Sequence, residues 1–158
     1  RQPLPTLDRS QLASASGVAR GAYVLSDPPQ GKPEVILIGT GSEVSLCLQA
    51  AKDLATEGIK VRVVSMPSWE LFELQDETYQ AEVLPPEIEA RVSVEQAATI
   101  GWERYVGRYG AKIGMHTFGA SAPLKALLNK FGFTPDRVAE AAREQLARAH
   151  EDTLVGAK

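Results

Sequence analysis

The strongest constraint on the fold lies in residues 34–58, EVILIGTGSEVSLCLQAAKDLATEG. Val35, Ile36, Leu37 and Ile38 form an unbroken aliphatic run, which suits a strand covered on both faces as in the middle of a parallel sheet. Gly39 and Gly41 break the run. Thr40 and Glu43 stand three apart as a capping box, with the hydroxyl placed to accept from the amide of residue 43 and the carboxylate to reach back. Val44, Cys47, Leu48, Ala51, Leu54 and Ala55 then recur at helical spacing, and Gly58 supplies a left-handed stop. A strand, a glycine turn and a helix in this order are the first half of a βαβ unit.

The remaining segments extend that unit. Residues 1–20 carry two prolines and an ASASG patch, the composition of a connector. Residues 22–25 predict a short strand that turns back through the SDPP and QGKP turns and pairs antiparallel with a neighbour in an otherwise parallel sheet. Val61, Val63, Val64 and Met66 form the next strand, set parallel to the first by a right-handed crossover and closed by Pro67. The segment SWELFELQDETYQAEVL predicts one helical turn and then a short helix capped by Asp76. Residues 90–95 form another strand, and Trp102, Tyr105 and Val106 share one face of a short helix. Lys112, Ile113, Gly114 and Met115 are the last strand. Ser121 is placed to cap the following helix, whose core face is Leu124, Leu127, Leu128 and Phe131. Thr134 and Pro135 start the final helix, with Val138, Ala141, Ala142 and Leu146 inward and the pairs Glu140–Arg143 and Glu144–Arg148 on its surface.

Alternating strands and helices imply an α/β protein: a three-layer α/β/α domain with a mixed, mostly parallel sheet of about five strands. The expected organisation is a connector over 1–20, the domain over 21–150 and a flexible tail over 151–158. The 158-residue length suits one domain, and a net charge of -3 gives no electrostatic reason to bind nucleic acid or an anionic membrane. The single cysteine, Cys47, excludes an internal disulfide and points to a reducing compartment.

Candidate chemistry is sparse. Free amides at a helix start favour an anion, so Gly39, Thr40, Gly41 and Ser42 are a possible anion-binding turn and, with Glu43, the basis of a stand-alone regulatory module. Against this, the dinucleotide fingerprint requires a third glycine where Val44 stands, and an acid at the end of the next strand where Ser65, Met66 and Pro67 stand. Close approach of helix to strand is therefore not expected. His116 and His150 lack partners at metal-ligand spacing. Glu95 ends a strand at the sheet edge where open α/β folds place ligands, but with no base or nucleophile beside it the expectation is a solvated or salt-bridged carboxylate. Trp69, Phe72, Trp102, Tyr105 and Tyr109 are expected in the core or at an interface. No catalytic residue is identified.

Six segments in register carry a resemblance over essentially the whole chain: RQPLP (1–5), ARGAYVL (19–25), TGSEV (40–44), VRVVSMPSWELF (61–72), GWERYVG (101–107) and FGASAP (118–123). Together they resemble the C-terminal third of transketolase; SWELF and GWERYVG are most similar to plant and cyanobacterial members, a resemblance that hints at carbon fixation. The resemblance implies a homodimeric enzyme, cytoplasmic or plastid, that uses thiamine diphosphate and Mg2+ to move a two-carbon ketol unit between sugar phosphates. It implies also that cofactor and metal are bound by preceding domains, so that this segment alone is inactive and largely supports the dimer. Arg1 matches the family arginine that clamps the substrate phosphate, a task suited to a planar guanidinium, with Pro3 where the family usually has Asn. Deoxyxylulose-phosphate synthase and the β subunits of two-carbon dehydrogenases are related alternatives, against which the phosphate arginine and the GWERYVG and FGASAP segments argue.

Overall fold

A computed structural model describes residues 4–107 and 110–156. Arg1, Pro3 and Tyr109, singled out above, lie outside the described residues. Five strands, β1 (Tyr23–Ser26), β2 (Val35–Gly39), β3 (Val61–Ser65), β4 (Arg91–Ala98) and β5 (Ala111–Met115), form one sheet in the order β1-β3-β2-β4-β5. All pairings are parallel except β1 with β3, so the antiparallel edge strand expected from residues 22–25 is present and its neighbour is β3.

The aliphatic run became the central strand because it alone has no polar face to offer. Every residue of β2 is buried. Val35 and Leu37 point into one core with α1 (Val44–Thr56) and α6 (Pro135–Gly156). Ile36 and Ile38 point into the other, with α2 (Trp69–Glu73), α3 (Glu77–Val83) and α4 (Glu103–Val106). Alternate burial in two cores is what the period of two requires of a strand between two helical layers. At about 1.5–3 kcal/mol for each fully buried aliphatic side chain, these four residues are among the largest local contributors to stability.

Local signals set the helix ends in the second layer. Ser68 Oγ accepts from the Leu71 amide and Asp76 Oδ1 from the Tyr79 amide, so the SWELF turn and the helix after it start where expected. Two arginines tie strands to loops: Arg62 holds Asp27 bidentately at 2.6 and 2.8 Å, and Arg91 donates to the carbonyls of Pro85, Ile88 and Tyr105, each at 2.7 Å. Burial lowers the pKa of Arg91 below the ordinary arginine range, but the guanidinium stays charged.

The C-terminal part departs from expectation in four ways. First, α5 (Leu124–Phe131) is preceded by Pro123 with no side-chain cap, so Ser121 does not serve it. Second, no residue of α5 is fully buried; Leu128 and Phe131 only flank the first core, and Leu124 is 37% exposed. Its amphipathic pattern is present, but this chain supplies too little opposing surface. Third, the surface pairs differ: Arg137 takes Glu140 at 2.8 Å and Glu144 at 3.6 Å, while Arg143 crosses to Glu57 at the end of α1. Packing of α6 on α1 brings Glu57 within reach, and its bidentate geometry displaces the one-turn partner. Fourth, α6 continues through Gly156, into the stretch assigned to a tail.

Candidate functional site at the carboxyl edge of the sheet

The chain leaves β2 through α1 to reach β3, then returns past β2 to β4, so the order of winding reverses between β2 and β4. Ligands of open α/β sheets bind in the crevice at such a reversal, outside the carboxyl ends of the strands. Here its walls are the turn after Gly39 and the last residues of β4, where Gly39 is paired with Val94.

Gly39 is required by contact. A Cβ built on it would lie 2.9 Å from Val44 Cα, 3.0 Å from Val44 N and 3.1 Å from Cys47 Sγ. The helix therefore does approach the strand closely, contrary to the expectation drawn from the missing third glycine. The bare position is in the strand, not in the helix. Thr40 is extended, Gly41 takes φ +56°, and residues Gly41–Glu43 form a 3-10 turn before α1.

The capping box does not form. Thr40 makes no side-chain cap bond; only its carbonyl accepts from the Glu43 amide, at 3.2 Å. The Glu43 carboxylate is 4% exposed and turned across the crevice, where it accepts from Gln96 Nε2 at 2.7 Å, from the Gln96 amide at 3.2 Å and from Ser42 Oγ. Two donors on β4 outweigh one amide at the turn, because a buried carboxylate needs every partner it can reach. The four residues expected to cradle an anion thus surround a carboxylate that belongs to the protein. A second negative group at the turn would meet Coulomb repulsion from it.

Gln96 reaches this position through a bulge. Between the pairs Val94–Ile113 and Ala98–Met115, β4 spends three residues and β5 only Gly114. Gly114 makes room: a Cβ there would sit 2.5 Å from Thr99 Cγ2 and 2.9 Å from the Ala97 carbonyl. The extra residues let neighbouring side chains find separate partners, as bulges do. Gln96 meets Glu43, and Glu95 accepts from the Trp102 indole at 2.8 Å. Glu95 is therefore neither free in solvent nor salt-bridged; it is the acceptor that allows a Trp with 1% exposure to bury its N–H.

Trp102 anchors an aromatic group. Its ring meets Trp69 edge-on at 5.1 Å and Tyr105 at 5.9 Å, and Phe72 lies 6.1 Å from Tyr105. Tyr105 donates to Glu73 Oε1 at 2.8 Å, and Arg104 donates to the same oxygen at 2.6 Å. Those bonds, the tyrosine's first, hold the Glu73 carboxyl below its ordinary range. Burial foremost, then the bond to Glu73, pushes the Tyr105 phenol well above its own. This is core chemistry with a polar rim.

Among the described residues no three His, Cys, Asp or Glu side chains are grouped to share a cation, and no buried side-chain nitrogen or oxygen lacks a partner. Cys47 is fully buried, and desolvation, with Glu43 nearby, raises its thiol far above the reactive range. Of the residues that shape the crevice, sequence reasoning passed over Gln96 and Gly114. Only the repeated interruption of an aliphatic strand by polar residues and glycine hinted at a bulge.

The family model for the transketolase-like C-terminal domain matches residues 21–134. Transketolase of Geobacillus stearothermophilus is 45% identical over 148 residues, covering 94% of this chain and 22% of the relative. The chloroplastic transketolase-1 of Arabidopsis thaliana is 49% identical over 144 residues, covering 90% of this chain and 19% of the relative. The crystal structure of Pichia stipitis transketolase in complex with sedoheptulose-7-phosphate superposes with a TM-score of 0.83 at 37% identity, over 95% of this chain and 21% of that one. The chain thus spans about a fifth of the length of the proteins it matches. Its sheet order, its segments and the extent of these matches make it a member of the transketolase family, corresponding to the C-terminal domain.

Proposed function

We propose that this chain acts as the noncatalytic C-terminal domain of an enzyme that transfers a two-carbon ketol unit between sugar phosphates. The observation that carries the noncatalytic role is the crevice between β2 and β4, filled by the Glu43 carboxylate and the Gln96 carboxamide. A domain that occupies its own ligand position with a buried charge is built for shape. In this reading thiamine diphosphate supplies carbanion stabilisation, with Mg2+ at its diphosphate, and both are held by domains outside this chain. The remaining partners are the rest of the transketolase polypeptide, a second subunit in a homodimer and the sugar phosphate. By the family resemblance Arg1 is the residue assigned to that phosphate. The stand-alone anion-binding module at residues 39–43 is not favoured, since Glu43 already places a negative charge there.

The compartment proposed is the cytoplasm, or the plastid if the source is a plant or alga. A lone buried thiol and the chloroplastic relative support that choice. Among the described residues no helix is long and apolar enough to cross a membrane.

The test is a fusion in which this chain replaces the C-terminal fifth of the Geobacillus stearothermophilus transketolase. The fusion should transfer ketol units from a ketose phosphate. The 158-residue chain given thiamine diphosphate and Mg2+ should not, and transfer by it alone would overturn the proposal. In the fusion, Arg1→Ala should raise KM for the phosphorylated substrate more than it lowers kcat.

A further inference from the structure

Past the bulge, β4 and β5 run out into segments that nothing else in the described fold covers. Ile100 is 82% exposed and Phe118 97% exposed, and together with Ala98 and Met115 they line one shallow cleft. Among the described residues the only titratable group in its lining is His116. Other large side chains near this end of the sheet, Trp102 and Met66 among them, are buried to within 1%. Other large apolar side chains are exposed elsewhere, Leu74 at 80% among them, but Ile100 and Phe118 line one cleft together, and adjoining apolar groups left in water mark interaction sites.

We propose that the face formed by Ile100 and Phe118 is the seat of the transketolase polypeptide outside this chain, an inference that rests on the C-terminal-domain reading. Among the described residues the cleft carries no lysine, arginine, aspartate or glutamate, which suits an apolar protein surface as its partner. A second copy of this chain is a poor occupant. The two side chains offer roughly 300–400 Å2, so a symmetric pair would bury about 600–800 Å2, below the ~1,200 Å2 of specific stable complexes. A covalently joined domain needs far less. Its effective concentration is on the order of millimolar, and the same ~600–800 Å2 already falls within the range of within-chain interfaces. The relatives supply such a domain, since this chain accounts for only 22% of the Geobacillus stearothermophilus enzyme.

Cys47 is the sole cysteine of this chain and is fully buried, so single introduced thiols are read without background in the isolated chain and, in the fusion, peptide by peptide by mass spectrometry. Ile100→Cys, Phe118→Cys and, as control, Lys32→Cys in the exposed turn before β2 are labelled with a maleimide. The measurement is made in the isolated chain and in the fusion described above. Labelling at positions 100 and 118 should slow at least tenfold in the fusion, with position 32 unchanged. Fast labelling at 100 and 118 in a fusion that transfers ketol units overturns this inference and leaves the domain reading standing. An inactive fusion with no protection anywhere overturns both. Protection in the isolated chain that grows with its concentration assigns the face to a second copy and also overturns it. Mixing the isolated thiol variants with the truncated relative repeats the measurement without a covalent junction, and absence of protection there and in the fusion counts against the proposal.

Discussion

Gly39→Ala is the sharpest test of how the sheet and α1 are joined. The added methyl would lie 2.9 and 3.0 Å from the Val44 backbone and 3.1 Å from Cys47 Sγ. Two of those three atoms are main chain at the first residue of α1, so they cannot rotate away, and relief requires the helix to move off the sheet. Overpacking of this kind costs about 1–3 kcal/mol. Gly39 has no left-handed φ to forfeit, and replacing glycine by alanine narrows the unfolded ensemble, a gain of about 0.4–1 kcal/mol. The difference is a net loss of about 0–2.6 kcal/mol, centred near ~1.3 kcal/mol, and at ~2–4 °C per kcal/mol for a chain of this size Tm should fall by about 3–5 °C at that centre. Urea unfolding followed by tryptophan fluorescence gives the free energy, and calorimetry gives Tm. Cys47→Ala in the same background should recover only part of the loss, because the Val44 contacts persist. A net gain in stability for Gly39→Ala, the unfolded-state effect left unopposed, would refute the close seating of α1 on β2. Gly41→Ala is the contrasting control: its Cβ meets nothing within 4 Å, so its cost of about 1–2 kcal/mol comes from φ +56° alone and is insensitive to Cys47.

Trp102→Phe should cost about 1–3 kcal/mol, part of it from the Glu95 carboxylate left without its indole donor, and Glu95→Gln should cost less in that background than in the wild type, as a double-mutant cycle in urea would read. The Tyr105 phenol has its folded pKa raised above the unfolded value near ~10, so the folded state holds the proton more tightly; its stabilisation is complete below about pH 10 and declines as pH rises further, and Tyr105→Phe should flatten that alkaline decline in a series of denaturation midpoints. Cys47 should resist thiol reagents in native buffer and react at the rate of unfolding; prompt reaction of the folded chain would contradict its burial and raised pKa.

Much of this architecture is legible in the residue order, because periodicity and turn chemistry act locally. An aliphatic run with no polar face could only be an interior strand, and Asp76 caps the helix that capping rules place after it, while the cap supplied by Ser68 was not read from the sequence. The family resemblance is likewise a property of order and spacing. Partner choice among long polar side chains was not legible. Glu43 had an adequate local role as a capping residue, and only the folding of β4 beside β2 offered it Gln96 instead. Arg143 was one turn from Glu140 but close in space to Glu57, 86 residues away in the chain. The same holds for α5, whose amphipathic sequence announces a buried face that this chain alone does not cover. Short-range rules fix what each segment becomes, whereas the fate of a buried charge or an apolar stripe depends on which distant groups arrive beside it, and that is decided when the sheet is assembled.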